Sequence, residues 1–164
     1  MGTECAAGGS FDAFYSAAYP RLVRTLTVIS GSRADAEEVV QEAFVRLLPR
    51  WRRIHRYDQP EAWVRKVAVR QVLSRRRHHR VAVAAQHLLA EEAFQPGPNG
   101  DRLDVRAVIS NLPVDHRTVL VLHHGLDLSL EQIADVLGAP LGTVKSRLHR
   151  ARAAFANDYD SGVG

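Results

Sequence analysis

Residues 128–155, LSLEQIADVLGAPLGTVKSRLHRARAAF, set the fold class of this chain. Leu130, Ile133, Ala134 and Leu137 stand at i, i+3, i+4 and i+7, and Val144, Leu148, Ala151 and Phe155 repeat at helical intervals beyond Gly138. The pattern predicts two short amphipathic helices whose apolar stripes face each other across a tight turn. Ser129 is placed to cap the first helix, and Gly138 lets the chain reverse without a Cβ penalty. A small Ala134 allows a close crossing, which leaves Thr143, Lys145, Ser146, Arg147, His149 and Arg150 mostly outside the packed core. Such side chains are ligands for phosphates and base edges, and this helix pair is a geometry that enters a DNA groove, although helical hairpins of other function share it.

A chain of 164 residues holds one ordinary domain or two small ones, and 46% apolar residues is normal for a folded protein. The formal charge of +4 understates the asymmetry: residues 46–80 contain twelve Arg or Lys against Asp58 and Glu61 alone. A concentrated basic field favours a polyanion through counterion release and electrostatic steering. No apolar run approaches the roughly 20 residues of a spanning helix, and the start, MGTECAAGGSF, lacks a basic-then-apolar signal pattern. Membrane insertion is therefore not expected. A single Cys5 cannot form an internal disulfide and suits a reducing cytoplasm, the expected location.

The rest of the chain reads as further helix. The first is expected from Phe11 to about Val28, with Pro20 as a kink or restart. A second runs from a Ser32 cap to about Leu48, its first turns carrying Asp35, Glu37 and Glu38, and Pro49 stops it. Residues 50–57 form a basic and aromatic connector, helix or loop, before Pro60 opens a third helix, 61 to about 77, with a stripe of Trp63 or Val64, Val67, Ala68 and Val72. VAVAAQHLLAEEAF, residues 81–94, reads as weakly helical at most and QPGPNG at 95–100 is a break, so a flexible linker is placed at 81–101. Four short helices follow, the first two over 102–111 and 114–124. The expected architecture is all-α: two small helical domains, 10–80 and 102–156, on a tether.

Two charged constellations stand out. The helix end RQVLSRRRHHR, residues 70–80, follows Trp51, His55, Tyr57 and Trp63. Arginines track phosphates while exposed rings stack on unpaired bases, so the pairing suits a single-strand surface; equally, Trp63 fits a core position and the arginines a solvated helix end. Asp35, Glu37 and Glu38, with Gln41 and Glu42, form an acidic face, readable as helix-dipole complementarity or as a docking face for a basic protein surface. Catalysis and metal binding find no support. His78, His79, His87, His116, His123 and His124 lack carboxylates at ligand spacing, and there is no glycine-rich phosphate loop or nucleophile elbow. No cofactor is expected.

Taken together, residues 11–155 resemble a bacterial sigma-70-type RNA polymerase sigma factor of the extracytoplasmic function (ECF) group. DAEEVVQEAFVRL (35–47) is similar to the family's core-polymerase-binding helix, PEAWVRKVAVRQVLSRRR (60–77) to the segment that opens and reads the upstream-of-start promoter element, and residues 112–152 to the helix-turn-helix region that reads near position minus 35. The resemblance implies polymerase contacts from Asp35, Glu38, Gln41 and Glu42. It implies strand and promoter-element contacts from Trp63, Lys66, Arg70, Ser74, Arg75, Arg76 and Arg77, and helix-turn-helix contacts from Leu130, Thr143, Lys145, Ser146, Arg147, His149 and Arg150. Where the family carries asparagine and then aspartate in the basic helix, this chain has Arg70 and Ser74. The implied partners are core RNA polymerase, promoter DNA and an anti-sigma factor. The alternative is a helix-turn-helix regulator that binds duplex DNA without polymerase.

Overall fold

The computed structural model describes residues 10–86 and 105–161; Cys5, His87 and the break expected at 95–100 lie outside them. Every regular element among the described residues is helical, as expected.

Helix α1, Phe11–Ser30, buries Ala18, Leu22, Leu26 and Ile29 and ends where Gly31, at φ 76°, returns its N–H to the Thr27 carbonyl at 2.9 Å. The helix runs through Pro20 without a restart. That residue lies on the exposed face, so the carbonyl of Ser16 that loses its helical donor is open to solvent. Helix α2, Arg33–Leu47, starts as the sequence indicates, with the Ser32 hydroxyl accepting the Asp35 N–H at 3.2 Å. Its inner face is Ala36, Val39, Val40, Ala43, Phe44 and Leu47. Pro49 falls in a single tight turn, Leu48–Arg50, which passes directly into the four-residue α3, Trp51–Ile54, so the connector is mostly helical.

Helix α4, Pro60–Gln86, runs well past the expected end near residue 77, and residues 81–86 of the expected linker continue it. No glycine or proline occurs between Pro60 and Pro96, and the alanine-rich VAVAAQ has no breaker to stop propagation. Val64, Ala68, Val69 and Val72 face α1 and α2, while Trp63 and Val67 are half-buried beside them. Phe44 anchors an aromatic cluster: Phe11, Phe14, Tyr15 and Tyr19 all have ring centroids within 6.3 Å of it, and Trp51 stacks on Phe14 at 4.9 Å. Trp51 is thus packed against its aromatic neighbours.

The second module comprises α5, Val105–Asn111, α6, Val114–Leu120, α7, Leu130–Leu137, and α8, Leu141–Ser161. The expected helix over 114–124 is regular only to Leu120; Val121–Gly125 widens into a π turn. Its end is tied by the Leu128 N–H to the Leu122 carbonyl at 3.1 Å, and His123 Nδ1 bonds the Leu128 carbonyl at 2.9 Å. Val144, Leu148 and Ala151 of α8 are buried, as their spacing requires. On α7 the buried pair is Ile133 and Val136, with Leu130, Ala134 and Leu137 only half-buried. The stripe is rotated because a second surface covers the helix: α4 of the first module lies on α7, and α1 meets α6. Buried residues of both modules join one continuous apolar cluster.

Phe44→Ala removes the ring on which four other aromatics converge and should cost about 3–5 kcal/mol, the range for deleting a buried phenyl group. Urea denaturation followed by helical circular dichroism measures it.

Candidate functional site

The acidic face lies on α2. Asp35, Glu38 and Gln41 are exposed and Glu42 is half-buried, so the set presents a coherent charged edge. It does not stand alone. Arg75 of α4 donates from Nη2 to Glu38 Oε1 at 2.9 Å and to Glu42 Oε2 at 3.3 Å, Arg46 donates to Glu42 Oε1 at 2.5 Å, and Gln41 donates to the Tyr19 hydroxyl at 3.4 Å. The hydrogen bond it donates to Glu38 holds the Arg75 guanidinium even more firmly protonated than usual. Arg75, assigned by the sequence to the strand-binding set, therefore sits with the acidic set. Beside them Val45 and Leu48 are large apolar side chains left 69% and 57% exposed, the composition of a docking surface rather than of a purely solvated helix.

The basic set on α4 is dispersed among several partners. Arg76 donates to the Ser30 carbonyl at the C-terminus of α1. Lys66 Nζ meets Asp135 Oδ1 at 2.8 Å, and Arg70 donates from Nε to the Val136 carbonyl at 2.9 Å and from Nη2 to the Asp135 carbonyl at 2.8 Å. Ser74 is half-buried with its hydroxyl 3.5 Å from His78 Nδ1, Trp63 is half-buried against the core, and Arg77 is exposed. The basic helix is thus one continuous element, but its side chains do not form one open groove in this conformation.

The helix-turn-helix is locally well determined. Ser129 and Gln132 make a reciprocal capping box, the hydroxyl accepting the Gln132 N–H at 3.1 Å and Gln132 Oε1 accepting the Ser129 N–H at 2.8 Å. Gly138, at φ 61°, ends α7 and Pro140 leads into α8. On α8, Lys145, Ser146, His149 and Arg150 are exposed on one side; Thr143 is half-buried, its carbonyl taking the Ser146 hydroxyl at 3.1 Å. Arg147 is half-buried and 3.9 Å from Asp115, which orients it from α6. Leu130 packs against the core, a position that supports the turn from beneath.

Asp135 is a site residue that the sequence did not single out. It lies 69 positions from its partner Lys66, and nothing local to either marks the pairing. Among the described residues no cluster of three or more His, Cys, Asp or Glu could hold a metal ion, and no helix is long and apolar enough to cross a membrane.

Comparison with known proteins adds to this geometry. A Sigma-70 region 2 family model matches residues 14–81, and a Sigma-70 region 4 model matches residues 102–155. The chain is 32% identical over 144 residues to the ECF RNA polymerase sigma factor SigE of Mycolicibacterium smegmatis, over 80% of this chain and 54% of that protein, so it spans about half of that relative's length. It is 30% identical over 160 residues to the ECF RNA polymerase sigma factor SigC of Mycobacterium tuberculosis, covering 93% of this chain and 85% of that one. Among solved structures, the fold is similar to the sigma factor RpoE in its complex with the anti-sigma factor NepR from Bartonella quintana, with a TM-score of 0.69 and 22% identity over 90% of this chain and 94% of that one. CnrH, solved in complex with the cytosolic domain of CnrY, gives a TM-score of 0.58 at 22% identity over 92% and 88%.

Hydrogen bonding from Lys66 holds the Asp135 carboxyl below the usual carboxylate range. A depressed folded-state value means that this contact contributes stability above the ordinary carboxylate pKa and loses it as pH falls through the folded value. Carbon-detected NMR titration should place Asp135 below the free-aspartate value and return it most of the way in Lys66→Met.

Proposed function

Because this chain belongs to the sigma-70 family, in its extracytoplasmic function group of RNA polymerase sigma factors, we propose that it is a dissociable promoter-specificity subunit acting in the cytoplasm. The acidic edge of α2, with Asp35, Glu38, Gln41 and Glu42, docks a basic surface of core polymerase. The exposed side of α8 enters the major groove of the upstream promoter element, Lys145 and Arg150 positioning on phosphates while Arg147, oriented by Asp115, reads base edges with Ser146 and His149. Thr143 completes the N-terminal turn of the reading helix, and Leu130 holds the hairpin that aims it. Trp63, Lys66, Arg70, Ser74, Arg76 and Arg77 track the displaced strand near the start site, with Arg75 at the border between this set and the polymerase face.

The observation that carries the reading is the placement of two chemically opposite surfaces on separate modules: an acidic, partly apolar face on α2 and a basic, hydroxyl-bearing face on α8. A chain with both links a protein to DNA. Two individually weak contacts on one chain reinforce each other through effective concentration. The protein makes and breaks no bond; nucleotide addition belongs to the polymerase, and base extrusion draws on binding energy at a few kcal/mol per unstacked base. The solved relatives were captured with an anti-sigma factor or with a cytosolic partner domain, and a protein of that kind is proposed to hold this chain inactive.

Run-off transcription by purified bacterial core polymerase on genomic fragments should show discrete new starts only when this protein is added. Glu38→Lys with Glu42→Lys should abolish them by blocking core association, read separately by co-migration on gel filtration. Specific duplex binding by the free chain, with no polymerase-dependent starts, would instead identify a polymerase-independent helix-turn-helix regulator. In the same assay Arg147→Ala should relax sequence preference at a loss of about 1–3 kcal/mol for its base contact, whereas Arg150→Ala should weaken binding evenly and flatten the log–log salt slope by about 1.

A further inference from the structure

Arg65, on α4, is a cation without a match. Its guanidinium is half-buried and its Nε is sealed from solvent, yet it makes no hydrogen bond or ion pair among the described residues. Burial pushes the group below its usual pKa, and the nearby Glu61 carboxylate offsets that only in part. That carboxylate is already committed, accepting from Arg21 Nη2 at 2.5 Å. A cation withdrawn from water without a partner costs free energy that an incoming carboxylate recovers.

Arg65 borders a cleft of about 390 Å³, within the ~300–1,000 Å³ of small-ligand sites. The apolar lining is Ala62 of α4 with Leu128 and Val136, the last two buried. From α7 comes Glu131, exposed and, like Arg65, without a hydrogen bond or ion pair among the described residues. The other carboxylate of the cleft, Asp135, is taken by Lys66. Gln132 commits its Oε1 to the Ser129 N–H, which leaves its amide N–H groups to donate. The cleft therefore offers one free cation and one free anion that do not pair with each other, beside an apolar surface. Helix-dipole complementarity at the start of α7 accounts for Glu131 but not for Arg65.

We propose that this cleft binds a free amino acid with an apolar side chain, its carboxylate on Arg65, its ammonium on Glu131 and its side chain against Ala62, Leu128 and Val136. A simple anion meets repulsion from Glu131 and a simple cation meets it from Arg65, so the two charges together select a zwitterion. A carboxylate on a half-buried guanidinium is a charge-assisted contact, the stronger kind of hydrogen bond. Neither Arg65 nor Glu131 belongs to the surfaces assigned above to polymerase or DNA, and the site needs nothing of the role proposed for this chain in transcription.

The test is titration of the full chain with L-leucine and with L-phenylalanine, followed through the Arg65 Nε–Hε signal in proton–nitrogen correlation NMR. The sealed position of that N–H favours its detection, and its loss in Arg65→Met identifies it. At least one of the two amino acids should shift the signal saturably at millimolar concentration or below. L-leucinamide, which lacks the carboxylate, and isocaproate, which is leucine without its ammonium, should each bind at least about tenfold more weakly than leucine, the loss of one charged contact. Glu131→Gln and Arg65→Met should weaken binding by a similar factor, read by calorimetry with helical circular dichroism retained. Glu131 is exposed, so its variant stays decisive if Arg65→Met fails to fold. No saturable shift with either amino acid overturns the proposal, as does parent-like affinity in the folded variants. Isocaproate or leucinamide bound as tightly as leucine overturns the zwitterion. No arm contains polymerase or DNA, so the result is independent of whether the chain supports transcription.

Discussion

Helix C-termini leave carbonyls without partners, and in this chain arginine side chains close them. Arg76 reaches Ser30 at the end of α1, Arg50 reaches the Arg46 carbonyl at 2.8 Å at the end of α2, Arg117 reaches the Leu112 carbonyl at 3.0 Å beyond α5, and Arg70 takes two carbonyls at the end of α7. Each bond is charge-assisted and aligned with the helix dipole, the favourable geometry for a cation. The demand is acute because α5, α6 and α7 have only seven, seven and eight residues. Helices this short are marginal in water on their own and persist by burying a face and closing their ends. The buried stripe of α8 supplies the face, and the arginines supply much of the closure.

That division explains which parts of the structure were legible in sequence. The Ser32 and Ser129 caps, the Gly138 end and the stripe of Val144, Leu148 and Ala151 all depend on residues within a few positions of each other, and each lies where its pattern places it. The stripe of α7 does not mark Val136, because what buries it is α4, a helix about seventy positions away. The extent of α4 was underestimated because a run of basic residues reads as a frayed helix end, whereas the physical stop signals, glycine and proline, are absent until Pro96. The wider turn at Val121–Gly125 is closed by the Leu128 backbone folding back on Leu122 and His123, only six and five positions away, a pairing that helical periodicity does not mark.

The candidate site divides along the same line. Residue type and spacing identify the α8 surface, since a helix in an intact hairpin must present its polar side outward. They identify the acidic edge of α2 as well, but not that Arg75 would sit between Glu38 and Glu42. Composition treats an arginine as a free positive charge available to a phosphate. Here Arg70, Arg75 and Arg76 are each engaged by the protein, so any anion that takes them, as the proposed function requires, competes with an existing partner.

Competition of this kind changes what the basic patch is for. An exposed pair such as Lys66 and Asp135, with side chains 31% and 68% accessible, contributes only about 0–1 kcal/mol and is screened by salt. It therefore orients the modules more than it holds them. The Arg70 contacts differ in kind, because the guanidinium reaches two carbonyls of the last turn of α7, those of Asp135 and Val136, the former shared with the Gly138 N–H, and Val136 is buried among apolar neighbours. The two layers give an interface strong enough to select one arrangement of the modules, yet drawn largely from cations that a polyanion also attracts.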